Sequence, residues 1–475
     1  MPTDWVVLLP PIVAIGLALW TRQVFLSLVI GLWVGTTILA GGNVIQGLIG
    51  MADVVVAVFA EPSNTKIVLF SLLVGGLIAL VQVSGGVAAF VRFVQTAGLA
   101  KTRRGVELLA WVTGLLVFVE SSITSLIVGT LSRPFFDGLK LPREKLAYYC
   151  DATSAPVCMA IPLNGWGAFV LGLLITQGYD SNAVSTLFSA LLYNFFCLLA
   201  IAFALVLALT GWGFGPMRTA ERRAATTGQL IRPGSSPMIA DEVTGLEPIK
   251  PDKGRVYDFL VPVFVMIGMI FVSLYVTGNG NLMDGSGSTA VLWAVGTAIF
   301  VAMLVYMLPR QGQPLLMPDK STNYVIKGAS GLVGVVGLLV LAFALGEVSR
   351  SLEMGPYVVS VLGEDIWTWW LPALVFAIGC VVSFTLGSSW TTFAILIPLA
   401  LPLAEGLDIS VPLMLGAVLS GGVYGDHASP LSDTSIISSM ASACDHVDHV
   451  NTQLPYSALV AVISFCAFLV AGWLV

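Results

Sequence analysis

The chain of 475 residues is 57% hydrophobic and 10% charged, a composition typical of a polytopic membrane protein rather than a soluble domain. Its formal net charge is −6 and it has no basic stripe with interleaved aromatic residues, which excludes nucleic acid as a predicted partner. Six cysteines without any CxxC spacing disfavour both a disulfide framework and a thiolate metal site.

Ten apolar segments are long enough to cross a membrane, at about 17 to 25 residues each. The first has no Lys or Arg before it, which indicates a spanning helix rather than a cleavable signal peptide. Residues 42–60 are apolar but carry three polar side chains, and they form either an interfacial helix or an extra crossing. These features predict a multi-pass protein of the cell (plasma) membrane, with the lipid bilayer as a partner. The ten segments begin near Trp5, Gln23, Lys66, Arg143, Val184, Tyr257, Ser288, Tyr324, Pro412 and Pro455.

Two further apolar segments, residues 105–138 and 369–405, are interrupted in the middle by the polar stretches ESSITS and GSSWTT. Polar backbone at membrane depth survives only inside protein or beside water, so each segment predicts a re-entrant helical hairpin. The crossings that follow, residues 143–176 and 412–442, are interrupted by YCDATSAP and YGDHASP. Because Pro removes a helical hydrogen bond, we expect these helices to unwind at residues 151–156 and 425–430 and to free carbonyl oxygens for a cation.

The interruptions match each other in order along the two halves of the chain. ESSITS aligns with GSSWTT, the later DGL with EGL, and YCDATSAP with YGDHASP. Five predicted crossings separate the two hairpin tips, and an odd number places the tips on opposite faces of the membrane. The sequence therefore predicts an all-α polytopic membrane protein with two inverted structural repeats, each with a re-entrant helical hairpin and a broken transmembrane helix. This plan is typical of secondary transporters.

The polar segment between the halves predicts the domain boundaries. Residues 211–256 carry seven Lys or Arg and several Pro and Gly, which predicts a linker on the cytoplasmic side by the positive-inside rule. The predicted halves are residues 1–210, with hairpin 105–138 and broken helix 143–176, and residues 257–475, with hairpin 369–405 and broken helix 412–442.

Four carboxylates lie at the polar interruptions in the middle of the predicted membrane segments: Asp151, Asp426, Asp433 and Glu120. An Asp at the centre of a spanning helix costs about 2.5 to 3.5 kcal/mol, so such a residue predicts a functional site. The alternative is a hydrogen bond or ion pair that holds helices together. No Lys or Arg lies within the tips or the interrupted stretches, which weakens that alternative. A carboxylate without a counter-ion can release a proton and bind a small cation in its place.

The groups near these carboxylates offer oxygen ligands, which small hard cations such as Na+ prefer. We predict Na+ at Asp426, Asp433 and the hairpin-tip hydroxyls, with Asp151 and Glu120 contributing from the first half. No cofactor is predicted beyond the transported Na+ and H+. For each hydroxyl the alternative is a hydrogen bond back to the preceding helical turn or close helix packing. The supporting hydroxyls are Ser121, Ser122, Thr124, Ser388, Ser389, Thr391, Thr153, Ser154, Ser429, Ser432 and Thr434.

All three histidines lie between residues 427 and 449. His427 is adjacent to Asp426 and is a candidate for relaying protons or sensing pH, because His titrates near neutral pH. The stretch CDHVDH places His446 and His449 three residues apart beside two Asp, a spacing that could hold a metal. Because the stretch lies at the predicted cytoplasmic end of a helix, a solvated helix end or a pH-sensing patch is the favoured interpretation.

The stretch GDHASPLSDTSIISSMASACDHVDHVNTQLPY, residues 425–456, closely resembles the NhaC-type sodium/proton antiporter family. Members of that family carry GDH, SP, SDT and CDHxDHxxTQLPY here. The resemblance implies membership of the ion transporter superfamily and a secondary active antiporter that exchanges Na+ for H+ by alternating access. It also implies a homodimer with a moving transport domain and a static scaffold.

Three other functions remain open from the sequence. The resembled family includes relatives similar to malate/lactate antiporters, so an organic anion is the leading alternative substrate. The hairpin tips lack the Asn of related anion symporters, and no Arg lies near them to bind a carboxylate. An intramembrane aspartyl protease with Asp on two broken helices is a remote alternative, since VYGD lacks the first Gly of a GxGD signature. A passive channel explains the paired hairpins less economically than alternating access.

Overall fold

The computed structural model describes residues 5–21, 23–96, 102–118, 120–179, 182–237, 253–282, 285–310, 313–353, 357 and 368–475. These residues are mainly helical, as the apolar composition predicts, because a helix satisfies its own backbone hydrogen bonds in lipid. A two-stranded antiparallel sheet pairs β1, Pro309–Arg310, with β2, Gln313–Pro314.

The helices of the first half begin with a 3-10 turn at Trp5–Leu8. They continue as α1 Leu9–Thr21, α2 Val24–Leu39, α3 Val44–Ala60, α4 Pro62–Val83 and α5 Gly86–Thr96. The first hairpin is α6 Arg103–Leu116 and α7 Ser121–Gly138. The first broken helix is α8 Arg143–Ala152, α9 Ala155–Ala160 and α10 Gly165–Leu174, followed by a π turn at Ile175–Tyr179. Next come α11 Ala183–Leu191, α12 Phe195–Thr210 and α13 Gly215–Thr227.

The second half repeats the plan after four helices, α14 Val256–Thr277, α15 Gly287–Met307, α16 Pro318–Gly331 and α17 Val333–Ser351. The second hairpin is α18 Leu371–Leu386 and α19 Ser389–Gly406. The second broken helix is α20 Val411–Ala428 and α21 Asp433–Ser442, and α22 His446–Leu474 ends the chain.

Ten crossings were expected, and the described residues hold six helices that are long and apolar enough to cross, or nine if each of three bent pairs is one span. The crossing expected near Val184 begins with the short helix α11 and resumes at Phe195 after a break. Residues 44–60 form the helix α3, which is bent by 115° from α2. The helices Trp5–Ala18 and Leu371–Leu386 are apolar but shorter.

The inverted repeat and both hairpins are confirmed. The residues that are equivalent in the two hairpin tips differ by one position from those that the motif alignment pairs. Glu120 and Ser388 are the N-caps of the second hairpin helices, whereas the aligned motifs pair Glu120 with Gly387. Each helix then ends in the same turn, in which Lys140 has φ of 53° and Asp408 has φ of 54°. Five spans or bent pairs, within residues 143–351, separate the two tips, so the tips enter from opposite faces.

The helices form two bundles. In one bundle, α7 packs on α8 and α21, α20 packs on α18 and α19, and α12 packs on α6 and α22. In the other, α4 packs on α15 and α16, α14 packs on α15, and α17 packs on α2. The bundles meet where α17 contacts α19 and where α10 contacts α4.

The first part of the predicted linker is docked on the helices, and residues 238–252 lie outside the described residues. Arg223 on α13 contacts the carboxylate of Glu144 at 2.9 Å. Arg232 contacts Asp448 at 2.8 Å, and the backbone N–H of Ser236 donates to Asp445 Oδ2 at 2.9 Å. We call residues 228–237 the strap. The domain boundaries at residues 211 and 256 stay predictions.

Candidate functional site

Both hairpin tips and the second broken helix meet at a cavity of about 360 Å³ between the two bundles. The polar part of its lining includes three of the four predicted carboxylates, Glu120, Asp426 and Asp433. The other part is largely apolar and aromatic. The lining residues are Phe70, Ser71, Val74, Ile78, Gln82, Glu120, Ser121, Ser122, Gly165, Trp166, Leu332, Leu338, Ser388, Trp390, Asp426, Asp433 and Thr434.

The second hairpin tip holds the carboxylate of Asp426. Helix α18 ends at Gly387 in the left-handed conformation with φ of 66°, and α19 begins at once behind it. The first N–H of α19, that of Ser389, donates to Asp426 Oδ1 at 3.2 Å, and the Ser389 hydroxyl donates to Asp426 Oδ2. The positive end of a helix stabilises a negative charge at this position.

The first hairpin tip places Glu120 in an equivalent position. Glu120 is the N-cap of α7, where its Oε2 accepts from the N–H of Ile123 at 2.9 Å. The hydroxyl of Ser121 donates to Glu120 Oε1 at 3.3 Å. Thr124 closes the tip because its hydroxyl donates to the carbonyls of Val117 and Glu120. The carboxylate of Glu120 therefore faces the cavity from the N terminus of α7.

Asp433 is the first residue of α21, and its Oδ1 accepts from the N–H of Thr434 at 2.8 Å. Each of the three carboxylates thus lies at a helix N terminus, those of α19, α7 and α21. No Lys or Arg belongs to the cavity lining among the residues that the structure describes. Partial positive charge from helix ends replaces a basic side chain, so the site keeps the capacity to take up protons or cations.

The second broken helix unwinds at residues 429–432 rather than over 425–430. Asp426 and His427 remain in the last turn of α20. The hydroxyls of Thr434 and Ser435 each donate to the carbonyl of Asp426 at 3.0 Å, and Gln453 donates to the carbonyl of His427. The expected free carbonyls are therefore largely occupied by side-chain donors. The first broken helix unwinds at residues 153–154, inside the expected range.

Most of the predicted hydroxyl ligands bind backbone in this conformation. Thr153 donates to the carbonyl of Tyr149, Ser154 to that of Asp151 and Ser429 to that of Phe384. Ser432 and Thr434 share a hydrogen bond at 2.8 Å, and Ser388 caps the N–H of Thr391 at 3.4 Å. The hydroxyls on the cavity lining are those of Ser71, Ser121, Ser122, Ser388 and Thr434.

Asp151 is fully buried and does not belong to the cavity lining. Its Oδ2 accepts from the Ser435 hydroxyl at 2.8 Å and from Gln453 Nε2 at 2.6 Å, and Oδ1 has no hydrogen-bond partner among the described residues. His427 Nδ1 and His449 Nε2 each lie 3.9 Å from Oδ2. The structure therefore separates Asp151 from the other three carboxylates.

Sequence reasoning did not identify Gln453 and Ser435 as partners of Asp151. A signal for Gln453 was present, because His449 and Gln453 are four residues apart and lie on one face of a helix. His449 Nε2 and Gln453 Oε1 are 2.9 Å apart. No local pattern identifies the role of Ser435, which depends on how α21 packs against α8.

The acidic residues of CDHVDH cap a helix and hold the strap. Asp445 is the N-cap of α22 and accepts from the N–H of Val447 at 2.9 Å and of Asp448 at 3.1 Å. Burial raises the pKa of Asp445, but hydrogen bonds from three backbone N–H groups and the nearby Arg232 outweigh it and lower the pKa overall. The described residues contain no group of three or more His, Cys, Asp or Glu placed to hold a metal ion.

Comparisons with known proteins agree with the resemblance to sodium/proton antiporters. A family described as "Na+/H+ antiporter family" matches residues 166–473. An uncharacterized protein of Haemophilus influenzae is 32% identical over 98% of this chain and 90% of that one. The arginine/ornithine antiporter ArcD of Halobacterium salinarum is 40% identical over 50% of this chain and 46% of its own.

Two shorter matches and one solved structure complete the comparisons. The Na+/H+ antiporter NhaC of Alkalihalophilus pseudofirmus is 26% identical over 30% of this chain and 29% of its own. The malate-2H+/Na+-lactate antiporter of Bacillus subtilis is 37% identical over 20% of each chain. The structure of the YdaH transporter of Alcanivorax borkumensis has a TM-score of 0.59 at 13% identity, over 90% of this chain and 88% of that one. At that identity the likeness shows the fold alone.

Proposed function

The chain belongs to the Na+/H+ antiporter family, and from this premise we propose that it is a secondary active antiporter that exchanges Na+ for H+ by alternating access. The match confirms the resemblance to the NhaC type. The protein is a multi-pass membrane transporter and not an enzyme, since its family is a family of transporters. The intramembrane aspartyl protease is therefore set aside.

The observation that carries the proposal is the meeting of Glu120, Asp426 and Asp433 at one cavity. Carboxylates that line one cavity repel one another unless protons or cations offset their charge. Carboxylate and hydroxyl oxygens are suitable ligands for Na+, and losing a proton makes each carboxylate a stronger ligand. In this proposal Na+ binds at Asp426 and Asp433 with oxygens of the tips, and its binding displaces protons.

Alternating access is supported by the arrangement of the two bundles. The cavity lies between them, and each inverted half contributes one hairpin tip to its lining. Inverted repeats of this kind let one bundle move against the other around a site near the midplane. The homodimer and the moving transport domain stay predictions.

A second candidate is an organic substrate, which the size and lining of the cavity favour. Its volume of about 360 Å³ lies within the range of roughly 300 to 1,000 Å³ of small-molecule pockets. Phe70, Trp166 and Trp390 line it beside the carboxylates. Aromatic faces and carboxylates favour an organic cation, such as the arginine or ornithine in the name of one relative. An organic anion, as in the malate/lactate alternative, has no Lys or Arg to meet it among the described lining residues.

Transport by the purified protein in liposomes tests both candidates. Internal pH is recorded with a trapped dye while Na+, K+, arginine, ornithine, malate or lactate is added outside. We expect Na+ alone to drive proton movement, with Asp426→Asn abolishing it. The matched control is Asp408→Asn, which changes an exposed loop carboxylate after α19 and is expected to retain activity. Proton movement that requires an added organic substrate would replace the Na+/H+ proposal with the second candidate.

A further inference from the structure

We propose that His446, Ser439 and His449 form a proton-transfer path from the strap side of the protein to Asp151, separate from the cation cavity. The inference rests on the proposed Na+/H+ exchange and adds a route for the proton. His446 is partly exposed at the start of α22, whereas Ser439, His449 and Asp151 are fully buried.

One hydroxyl lies between the two imidazoles. Ser439 Oγ is 3.0 Å from His446 Nδ1 and 2.8 Å from His449 Nδ1. On the far side of each ring, His446 Nε2 is 2.8 Å from the carbonyl oxygen of Pro430, and His449 Nε2 is 2.9 Å from Gln453 Oε1. The four contacts form a continuous chain from Pro430 to Gln453.

The outer contacts fix a proton on Nε2 of both rings. The carbonyl of Pro430 can only accept, so His446 Nε2 must donate to it. Gln453 donates through Nε2 to the Asp151 carboxylate and the His427 carbonyl, which orients its Oε1 toward His449. That oxygen is also only an acceptor, so His449 Nε2 donates as well. In neutral form each imidazole then has a bare Nδ1 facing Ser439.

The hydroxyl cannot satisfy two bare nitrogens. Ser439 has one proton to donate, and the carbonyl of Ser435 competes for it at 2.8 Å. With both histidines neutral, at least one Nδ1 lone pair faces the lone pairs of Oγ. One added proton completes the chain, because one imidazolium then donates through Nδ1 to Ser439 while Ser439 donates to the other ring. The geometry therefore holds one proton shared between His446 and His449.

Transfer along the chain conserves every atom. The proton on His446 Nδ1 moves to Ser439 Oγ while the Ser439 proton moves to His449 Nδ1, so the positive charge passes from the partly exposed ring to the buried ring. His449 then gives its Nε2 proton to the Asp151 carboxylate and keeps its proton on Nδ1, so the Gln453 side-chain amide must turn over to present its NH2 group to the bare Nε2. His446 and His449 end neutral, and Asp151 ends as a carboxylic acid.

The last transfer crosses a short gap. His449 Nε2 and Asp151 Oδ2 are 3.9 Å apart, which must close to about 3 Å for a hydrogen bond. Because Oδ1 has no hydrogen-bond donor among the described residues, the negative charge of buried Asp151 is incompletely offset, which favours the neutral acid. Ser435 then lies between the two sites, since its hydroxyl oxygen is 2.8 Å from Asp151 Oδ2 and 3.0 Å from the Asp426 carbonyl oxygen, and its one proton can be donated to either.

Other ionisable groups surround the path on every side. Asp445 and Asp448 precede and follow His446 on α22, and Arg232 of the strap pairs with Asp448. His427 of α20 lies 3.9 Å from Asp151, and Tyr148 of α8 packs on the His427 ring at 6.0 Å between centroids. Acidic groups thus flank the entrance to the path, and one of them, Asp448, is paired with Arg232.

Two kinds of transport separate this path from the cation site. Exchange of radioactive Na+ for Na+ needs only the cavity, whereas Na+-driven proton movement also needs the path. We expect His446→Ala and Ser439→Ala to slow proton movement about tenfold or more while Na+/Na+ exchange is retained. Imidazole added on the strap side should restore His446→Ala but not Ser439→Ala. Matched controls are Val447→Ala beside His446 and Ser442→Ala, a buried hydroxyl on α21 that bonds back to Ser438 at 2.8 Å.

Equal loss of both transport modes in the path variants would overturn the proposal and show a structural role. Unchanged proton movement would also overturn it. Absence of Na+/Na+ exchange in the wild-type protein would refute the proposed function but not the proton path. The path is then tested by a measurement that needs no transport. In nitrogen-15 spectra of the three histidines, protonation of His446 should shift His449 in the wild type and not in Ser439→Ala. Independent titration of the two rings in the wild type would contradict the shared proton.

Discussion

Each carboxylate of the cavity is stabilised by a helix N terminus, but the contacts that place it there differ among the three residues. Ser389 at the start of α19 donates to Asp426 through both its N–H and its hydroxyl. Glu120 caps its own helix, and Asp433 begins one. Helix ends offer hydrogen bonds without adding a full positive charge, so a transported cation does not compete with a Lys or Arg.

The first prediction separates two roles of the Glu120 side chain, which caps α7 and carries a negative charge into the cavity. Glu120→Gln keeps an oxygen that accepts from Ile123 N–H, so thermal stability should be nearly unchanged. The loss of one cavity carboxylate should reduce Na+-driven proton transport by about tenfold or more. The measurement is transport in liposomes beside a thermal unfolding curve.

The control for this variant is Glu61→Gln. Glu61 is also a Glu N-cap, accepting from Ser63 N–H at 3.4 Å, but it does not line the cavity. Equal transport loss in both variants would contradict a specific role for Glu120.

The sequence predicts the carboxylates and not their partners. Asp426 and Asp433 are recognisable because a charge in an apolar segment is costly. Whether a given hydroxyl faces an ion or a carbonyl depends on side-chain rotation and helix packing, which have no signature in spacing. Asp151 illustrates this, because it aligns with Asp426 in the repeat and yet lies outside the cavity lining.

At the scale of elements, the tip of the second hairpin depends on one glycine. Gly387 has φ of 66°, and a Cβ there would lie 2.6 Å from the backbone of Leu431 in the helix break. We predict that Gly387→Ala lowers both thermal stability and transport. The left-handed conformation alone costs about 1 to 2 kcal/mol for Ala, and displacement of the break adds to it.

Gly211 provides the matched control for Gly387. It also ends a helix and has φ of 67°, but a methyl group added there would meet nothing within 4 Å. Gly211→Ala should therefore show only the conformational cost and keep transport. Equal losses of stability and transport in Gly387→Ala and Gly211→Ala would contradict a specific role of Gly387 in the hairpin tip.

The strap gives a pH-dependent prediction through Asp445. Its pKa lies below the ordinary 3.8, so its contribution to docking is present above about pH 4 and is lost as the pH falls through the lowered value. A spin label at Pro233→Cys should be immobile from pH 5 to 8 and become mobile only below pH 4. In Asp445→Asn the label should be more mobile at neutral pH and respond little to acid. A wild-type midpoint above pH 5 would contradict this assignment.

Hairpins and helix breaks were predictable because polar interruptions in apolar segments have few structural solutions. Their register was not, since the motif alignment pairs Glu120 with Gly387 while the caps pair Glu120 with Ser388. The break before Phe195 was also missed, because residues 192–194 contain neither Pro nor Gly. Helix ends of that kind depend on tertiary packing.

At the scale of the whole molecule, the inverted repeat predicts the sidedness of two equivalent turns. Lys140 and Asp408 follow the second helix of each hairpin, are exposed, and share the left-handed conformation. In a Cys466→Ser background, Lys140→Cys and Asp408→Cys should react with an impermeant maleimide from opposite sides of oriented vesicles. Labelling of both from one side would contradict the inverted arrangement.

The overall plan followed from the order of motifs, since three matched pairs and an odd number of crossings require inversion. The division into two bundles could not be predicted from the sequence, because it depends on which apolar helix faces pack together and most of these faces are alike in composition. The meeting of Glu120 with Asp426 and Asp433, hundreds of residues later, is a product of that packing.

The central claim is that the cavity carboxylates are shared between protons and Na+, and proton release on Na+ binding tests it most directly. Purified protein in weakly buffered detergent solution receives NaCl while a dye records pH and radioactive Na+ records binding. The account predicts saturable proton release that follows Na+ binding, is lost in Asp426→Asn combined with Asp433→Asn, and persists in Asp408→Asn. Saturable Na+ binding without proton release, or release that persists in the double variant, would contradict it.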